Sequence, residues 1–431
     1  MALNKNDFEQ SKKGGNKSAK NKNYEKADKP AGKKSTKSKG ENGSAKRKSK
    51  KRGASYTVCI LIFVAILAIC FYLYKGGYFG KNSGENETPP VSGLTDIFKG
   101  VTSSESGELK VHFIDVGQGD CIFIEFPDGK NMLIDSGDKG AKTRWNAAEK
   151  DKTNEQIIIE YLNGIGVKKD ITVVLATHAD ADHISNMAAV YRAFDVTYSL
   201  RPSVYYNGDN ANEFTEEFNS PSSAKKHDDK NTKVYYNYLK AVQNENCGWE
   251  YFNYQSDFSQ TFTFDGGTYD YKMDFLTPLE SLGNIGYSDR NDYSPIMWLK
   301  YGEFDLVLTG DANVLVENQY LDYVNNNSVK EYPHDVEVLK VGHHGSDTSS
   351  GERFINLLKP KNAVICLGKG NKYNHPHQKP MDRLKNVGST VWRTDIQGNI
   401  VLTVKTDGKC DFTLQNTNYV PSELYVCPPR A

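Results

Sequence analysis

Short apolar runs broken by turn residues dominate the chain from Leu109 onward, and their spacing predicts its elements. LKVHFIDV, CIFIEF and NMLIDSG follow one another, separated by GQGD and PDGK. Runs joined by such tight Gly- and Asp-containing turns predict three consecutive strands, the antiparallel start of a sheet. TNEQIIIEYLNGIGV has its apolar positions at helical spacing, with Thr153 placed as N-cap and Gly164 near the end. ITVVLATH reads as a buried strand and ISNMAAVYRAF as the helix after it. Residues 201–280 form an excursion whose first sixty or so positions, to about 260, are rich in Tyr, Asn, Asp and Ser. Their weak periodicity predicts an irregular or helical segment.

DYKMDFLTP, SPIMWLKYG, FDLVLTGD, VEVLKVGHHGS, NAVICLG, STVWRTD and NIVLTVKTD read as further strands. ANVLVENQYLDYV, GERFINLLK and KPMDRLKNV read as helices between them. Strand runs in both halves, each interleaved with helices, predict an α/β fold in which two sheets pack face to face with helices outside. That is a four-layer αββα sandwich.

The first hundred residues break this pattern. Residues 1–55 contain almost no apolar side chains and predict a disordered basic tail. Tyr56 to Tyr74, YTVCILIFVAILAICFYLY, is 19 residues long and carries no charge. As a helix it would just cover the hydrocarbon core of a bilayer, with tyrosines at both ends where amphipathic rings favour the interface. It lacks the polar stripe of a core helix, and it is longer than the apolar part of a cleaved signal peptide. A single transmembrane helix is therefore expected, with residues 75–106 as linker, 107–418 as the folded domain and 419–431 as a C-terminal tail.

Charge supports this division. Lys plus Arg equals Asp plus Glu over the whole chain, but residues 1–52 hold 18 basic and 5 acidic side chains, a net of +13 that leaves −13 for the rest. A basic flank stays in the cytoplasm, so the folded domain is expected outside the cell. The cysteines show neither a zinc-ribbon spacing nor a disulfide framework. Cys410 and Cys427 remain a pair that could close outside the cell.

The chemistry-bearing residues stand at strand ends. Asp115 ends VHFIDV, Asp135 ends MLID, and His178, Asp180, Asp182 and His183 follow VVLAT. Asp311 ends LVLTGD, His343 and His344 follow VLKVG, and His375 and His377 follow AVICLG. Groups displayed on loops at one edge of a rigid sheet are how α/β architectures build active sites. Imidazole and carboxylate are ligands for divalent metals, and a His-x-Asp-x-Asp-His loop can serve two neighbouring ions. Such a pair lowers the pKa of a shared water to near neutral and neutralises an oxyanion, which makes phosphate esters natural substrates.

HADADH resembles the metal-binding loop of the metallo-β-lactamase fold superfamily, whose usual form is HxHxDH. Asp180 replaces the second histidine. That variant is found in ComEC competence proteins and in choline-binding phosphorylcholine esterases. FIDVGQGDCIFIE, LIDSGD, ATHADADH, LVLTGDA, LKVGHHGS and NKYNHPH resemble, in order, the extracellular hydrolase domain of ComEC over roughly Leu109 to Asp407.

The resemblance implies two divalent ions, zinc or manganese. His178 and Asp180 would serve one, and Asp182 and His183 the other. Asp311 would bridge them, and His343 would complete a site with His344 beside it as ligand or proton donor. Asp182, His344 and His375 are the catalytic candidates, His375 as a phosphate binder or proton donor. Asp135 would brace the HADADH loop from behind. The superfamily's third histidine motif falls on NDYS, with Asn291 and Ser294 in its place.

The reading that results is a membrane-anchored extracellular phosphodiesterase or nuclease acting on DNA or nucleotides. An esterase of cell-wall or small-molecule substrates, of the phosphorylcholine kind, is the alternative. A non-catalytic surface binding protein is a third, which the intact HxDxDH with Asp311 and His343 argues against. One apolar run, where ComEC has a polytopic channel, makes a channel role unexpected. No protein partner is implied.

Overall fold

A computed structural model describes residues 107–140, 142–149, 151–202, 232–252, 260–265, 271–276, 290–326 and 331–428. The basic tail, the Tyr56–Tyr74 run and most of the linker lie outside the described residues, and none of the described helices is long and apolar enough to cross a membrane.

Strands β1 (Leu109–Phe113), β2 (Ile122–Glu125) and β3 (Asn131–Ile134) form an antiparallel meander. Helix α1 (Asn154–Gly164) follows. Thr153 caps it by accepting from the Gln156 backbone N–H, while the Gln156 side chain accepts from the Thr153 N–H. This reciprocal box satisfies two backbone donors that a helix start otherwise leaves open. Strand β4 (Asp170–Leu175) then runs parallel to β3. After it come α2 (Ala181–Ile184), α3 (Met187–Ala193), β5 (Asp195–Pro202), α4 (Lys233–Glu245) and β6 (Gly248–Phe252).

Strands β7 (Gln260–Asp265), β8 (Tyr271–Leu276), β9 (Ile296–Tyr301) and β10 (Phe304–Leu308) form a second antiparallel series. Helix α5 (Val314–Asn326) leads to β11 (Val338–Lys340), α6 (Glu352–Leu358) to β12 (Asn362–Ile365), and α7 (Gln378–Asn386) to β13 (Thr390–Arg393). A short α8 (Thr394–Gln397) precedes β14 (Ile400–Val404) and β15 (Cys410–Leu414).

The first sheet has the order β15-β14-β1-β2-β3-β4-β5-β6 and the second β13-β12-β11-β10-β9-β8-β7. Their inner faces share one core, in which Val111, Ile124, Val173 and Leu175 oppose Met273, Leu299, Leu306 and Val338. On the outer face of the first sheet, Phe123 and Val174 pack with Ile158 and Leu162 of α1, Val190 of α3 and Tyr238 of α4. On the outer face of the second, Val307 and Leu339 pack with Val316, Phe354 and Leu384 from α5, α6 and α7. These are the four layers that the pattern predicts. Strand β4 is buried on both faces from Val173 to Leu175, which is why its second half reads as an apolar run. Each such side chain stabilises the fold by about 1.5–3 kcal/mol.

The stretch 201–280 carries the helix expected of it, α4, but departs from expectation in strands β6 and β7, which extend the two sheets, β6 at the edge of the first and β7 at the edge of the second. Residues 421–428, expected in a tail, dock on the domain. Leu424 is buried, and Arg393 Nη1 donates to the carbonyls of Leu424 (3.2 Å) and Val426 (2.7 Å). Cys410 and Cys427 are free thiols packed against different core clusters.

Candidate metal centre

Strands β3 to β6 run parallel, and so do β10 to β13. Parallel strands present all their carboxyl ends at one edge. Asp135 leaves β3 there, His178 to His183 leave β4, Asp311 leaves β10, His343 and His344 leave β11, and His375 follows β12.

Asp182, His183, Asp311 and His344 converge, with one ligand atom from each lying within 4.8 Å of all the others. His183 Nε2 is 3.1 Å and His344 Nε2 3.3 Å from Asp311 Oδ2, and His344 Nε2 is 3.6 Å from Asp182 Oδ2. The orientation of these rings is set from behind. Asp135 Oδ2 accepts from His183 Nδ1 (2.7 Å) and from Thr177 Oγ1 (2.6 Å), while Asp135 Oδ1 accepts from the Thr177 N–H (2.8 Å). Thr177 has spent its proton on Asp135, so its oxygen accepts from His178 Nδ1 at 3.0 Å. His344 Nδ1 donates to the Cys366 carbonyl at 2.7 Å. In all three histidines the Nδ1 proton is thereby fixed, leaving Nε2 as the free ligand atom.

Those Nε2 atoms, of His178, His183 and His344, are buried without a hydrogen-bond partner, as is Asp311 Oδ1. Buried polar atoms without partners are costly. Those of His183, His344 and Asp311 belong to the four-donor cluster, and their chemistry fits a divalent ion.

The carboxylates favour positive charge at the cluster, which a divalent ion would supply in place of ring protons. Burial disfavours the imidazolium form of His183 and of His344, but the Asp311 carboxylate, with Asp135 beside His183 and Asp120 beside His344, outweighs it and holds both well above the ordinary histidine pKa. Burial likewise opposes ionisation of Asp311, yet the imidazoles of His183, His344 and His343 hold its carboxyl well below the usual range. Burial lowers the pKa of His178, with the neighbouring His183 adding to it.

His343 and His344 differ in place. Both adopt left-handed backbone, with φ of 48° and 55°. For side-chain-bearing residues this costs about 1–2 kcal/mol each, and such strain gathers at functional sites. His343, on which the sequence centres a ligand role, is partly exposed with its Nε2 3.7 Å from Asp311. His344 belongs to the four-donor cluster. His375 is buried and its ring lies 5.5 Å from that of His343. Burial, with His344 and His343 close by, pushes its pKa down to about 3. Its Nδ1 has no partner. His377 instead ties its loop to the one after His344, its Nδ1 accepting from the Asp347 N–H at 3.0 Å. Asn291 lies in the turn Arg290–Tyr293, and its carbonyl accepts from the Ser294 N–H at 3.0 Å. Ser294 Oγ in turn accepts from the Asp311 N–H at 3.2 Å, so this turn supports the cluster from below.

Three further residues belong to the site. Lys340, fully buried, places Nζ 2.5 Å from Asp120 Oδ2, and Asp120 Oδ1 lies 3.4 Å from His344 Nδ1. Asp120, Asp135 and His183 also lie within 4.8 Å of one another, but Lys340 and the hydrogen bonds of Asp135 engage those carboxylates. Arg290 forms an ion pair with Asp180, Nη1 to Oδ1, at 2.6 Å.

Comparison with known proteins agrees with this geometry. The family model "Metallo-beta-lactamase superfamily" matches residues 114–233. With the αββα layers and the motif-bearing strand ends, it makes the chain a metallo-β-lactamase-fold protein. Within that class the chain is ComEC-like. It is 30% identical over 299 residues to ComE operon protein 3 of Bacillus subtilis, covering 68% of this chain and 33% of that protein. It is 23% identical over 291 residues to Recombination protein 2 of Haemophilus influenzae, covering 68% of this chain and 28% of that protein. The chain thus spans about a third of the length of these curated relatives. Among solved structures, the metallo-β-lactamase fold protein YhfI of Bacillus subtilis aligns with a TM-score of 0.37 and 11% identity, over 66% of this chain and 95% of that one.

Proposed function

We propose that the chain is a membrane-anchored extracellular phosphodiesterase or nuclease that depends on divalent metal. The observation that carries this reading is the cluster of Asp182, His183, Asp311 and His344, with its unpartnered buried ligand atoms at the carboxyl ends of two parallel strand sets. Those four residues would hold an ion, with His178 and Asp180 beside it for a second. When bound, such ions supply Lewis acidity to a phosphoryl oxygen and lower the pKa of a water to near neutral.

The chain's own groups do the rest. Asp135 and the Cys366 carbonyl keep the ring protons on Nδ1 and away from the ligand atoms. His375, neutral at physiological pH, offers a ring nitrogen to a substrate oxygen as a hydrogen-bonding group rather than as a charged acid. Arg290 and Lys372 add positive charge near the donor loops, Lys372 lying over the Tyr373 ring at 4.8 Å and Tyr373 stacking on His375 at 5.6 Å. Cations beside an acid-rich metal site favour an anionic substrate.

Similarity to a protein named for recombination supports DNA or nucleotides as the substrate class, and the uncharged Tyr56–Tyr74 run supports a place at the cell membrane. Purified protein would be tested with manganese and with zinc on a bis-nitrophenyl phosphodiester, single-stranded DNA, phosphorylcholine esters and a β-lactam. Turnover of the diester and of DNA, abolished by chelator, is expected. Turnover confined to phosphorylcholine esters would replace the nuclease reading with the esterase one.

A further inference from the structure

His178 and Asp180 stand apart from the four-donor cluster. Among the described residues, neither joins a set of three donors within 4.8 Å. His178 is in place: its ring lies 4.1 Å from that of His183 and its buried Nε2 has no partner. Asp180 is not. Its carboxylate is taken by the guanidinium of Arg290, 2.6 Å away, in a pair whose side chains are 30% and 50% exposed. Arg290 opens the turn that carries Asn291 and leads into Ser294, so the segment that seats the cluster also presents the competing cation.

We infer that the centre binds its two ions with unequal affinity, and that Arg290 sets the difference by holding Asp180 in an ion pair that the second ion must break. The inference rests on the metal-centre reading above. The first ion meets Asp182, His183, Asp311 and His344 already converged. A second would draw on His178, with Asp311 shared, and would gain Asp180 only by displacing a guanidinium. Two costs follow: the exchanged ion pair, and repulsion between the arginine and a dication bound beside it. A half-exposed pair is worth little by itself, and the repulsion is of similar size under solvent screening, so together they amount to about tenfold in affinity. Screening also makes the difference sensitive to salt.

The test is metal binding by the full-length chain in detergent, stripped with chelator and titrated separately with Mn²⁺ and Zn²⁺. Calorimetry gives the affinities and elemental analysis after dialysis the stoichiometry. The wild-type chain should bind one ion tightly and a second about tenfold or more weakly, with the gap narrowing as ionic strength rises. Arg290→Ala should tighten the second ion about tenfold and leave the first within about twofold. Asp180→Asn should lose the second ion and keep the first. Two ions of equal affinity in the wild-type chain, or a second ion unchanged or weakened in Arg290→Ala, would overturn the inference while leaving the metal centre standing. Binding of no ion at all would remove the metal-centre reading with it. None of these readouts depends on which substrate is cleaved.

Discussion

Asp311 is the residue on which the centre converges. Its Oδ2 lies within 3.7 Å of Nε2 of His183, His343 and His344, and its Oδ1 is buried without a partner. Asp311→Asn keeps the shape and removes the charge that offsets those imidazoles. It should lower bound metal to a small fraction and cut hydrolysis by about a hundredfold or more, as losses of a preorganised charge at a reacting centre do. The rise in melting temperature on adding metal should vanish with it, because that rise is the linkage of binding to folding. His344→Gln should reduce metal content far more than His343→Gln. Equal losses would return His343 to the cluster.

Gly119 makes a different demand. Its φ is +112°, and a Cβ there would stand 1.8 Å from the Asp182 carbonyl oxygen. The GQGD turn can press against the HADADH loop only because that side chain is absent. Gly119→Ala should therefore displace Asp182 and lower metal affinity in a protein that still folds, which elemental analysis and circular dichroism together would show. Retained affinity would mean the two loops move apart freely.

The ligand-type residues were legible because several fall together at strand ends. Asp120 and Lys340 were overlooked, although each carried a signal. Lys340 is a charge inside an apolar run, VEVLKVG, and a charge in a buried strand must have a partner. Arg290 carried no comparable signal, since only the fold brings it to Asp180.

Among the elements, the loop after His344 shows how helices outside the sheet reach the site. Glu317 on α5 accepts from the Ser350 N–H (2.6 Å) and the Gly351 N–H (2.7 Å). Arg383 on α7 donates to the Ser350 carbonyl at 2.7 Å. Two helices thus pin the segment that leaves the histidine pair. Burial pushes the Glu317 pKa up to about 7, outweighing the two amides and Arg383. The folded state therefore holds a proton that the unfolded chain releases near pH 4.5. Between those values the native state binds more protons, so this group's contribution to stability falls as pH rises through the window. The loss amounts to about 3 kcal/mol at 1.36 kcal/mol per unit. Glu317→Gln, which cannot ionise, should gain on the wild-type chain as pH goes from about 5 to about 8 by an amount of this order, read from urea unfolding of metal-free protein. A constant difference across that range would place the ionisation elsewhere.

Element boundaries followed the pattern wherever apolar spacing was strong, as in α1 with its Thr153 box. Strand β7, QTFTFD, was missed despite strict alternation, because the Tyr- and Asn-rich stretch before it lowered the signal over a longer window. Strand β6, GWEYF, is a parallel edge strand set by its pairing with β5, a non-local contact that local pattern does not contain.

At the scale of the whole molecule, two properties bear on substrate. The first is the division of charge, +13 in residues 1–52 against −13 in the remainder. A basic flank beside an uncharged span of 19 residues predicts a cytoplasmic amino end, so protease added to intact cells should remove the folded domain and spare the tail. Protection of the domain would reverse that orientation. The second is the ligand set. Asp180 stands where a neutral histidine is usual in the superfamily, and no histidine stands at Asn291. An additional carboxylate makes bound ions weaker electrophiles toward an amide carbonyl and favours harder cations, whose preferred partners are anionic phosphate oxygens. The acidic remainder works against long nucleic acids at a distance, where potentials sum, but falls off within a Debye length of about 8–10 Å. Phosphodiester hydrolysis should therefore be faster on short oligonucleotides than on long duplex at low salt, with the difference shrinking as salt is raised, and β-lactams should not be cleaved. Efficient lactam cleavage with no diester turned over under either metal would show that the carboxylate at 180 does not set the chemistry.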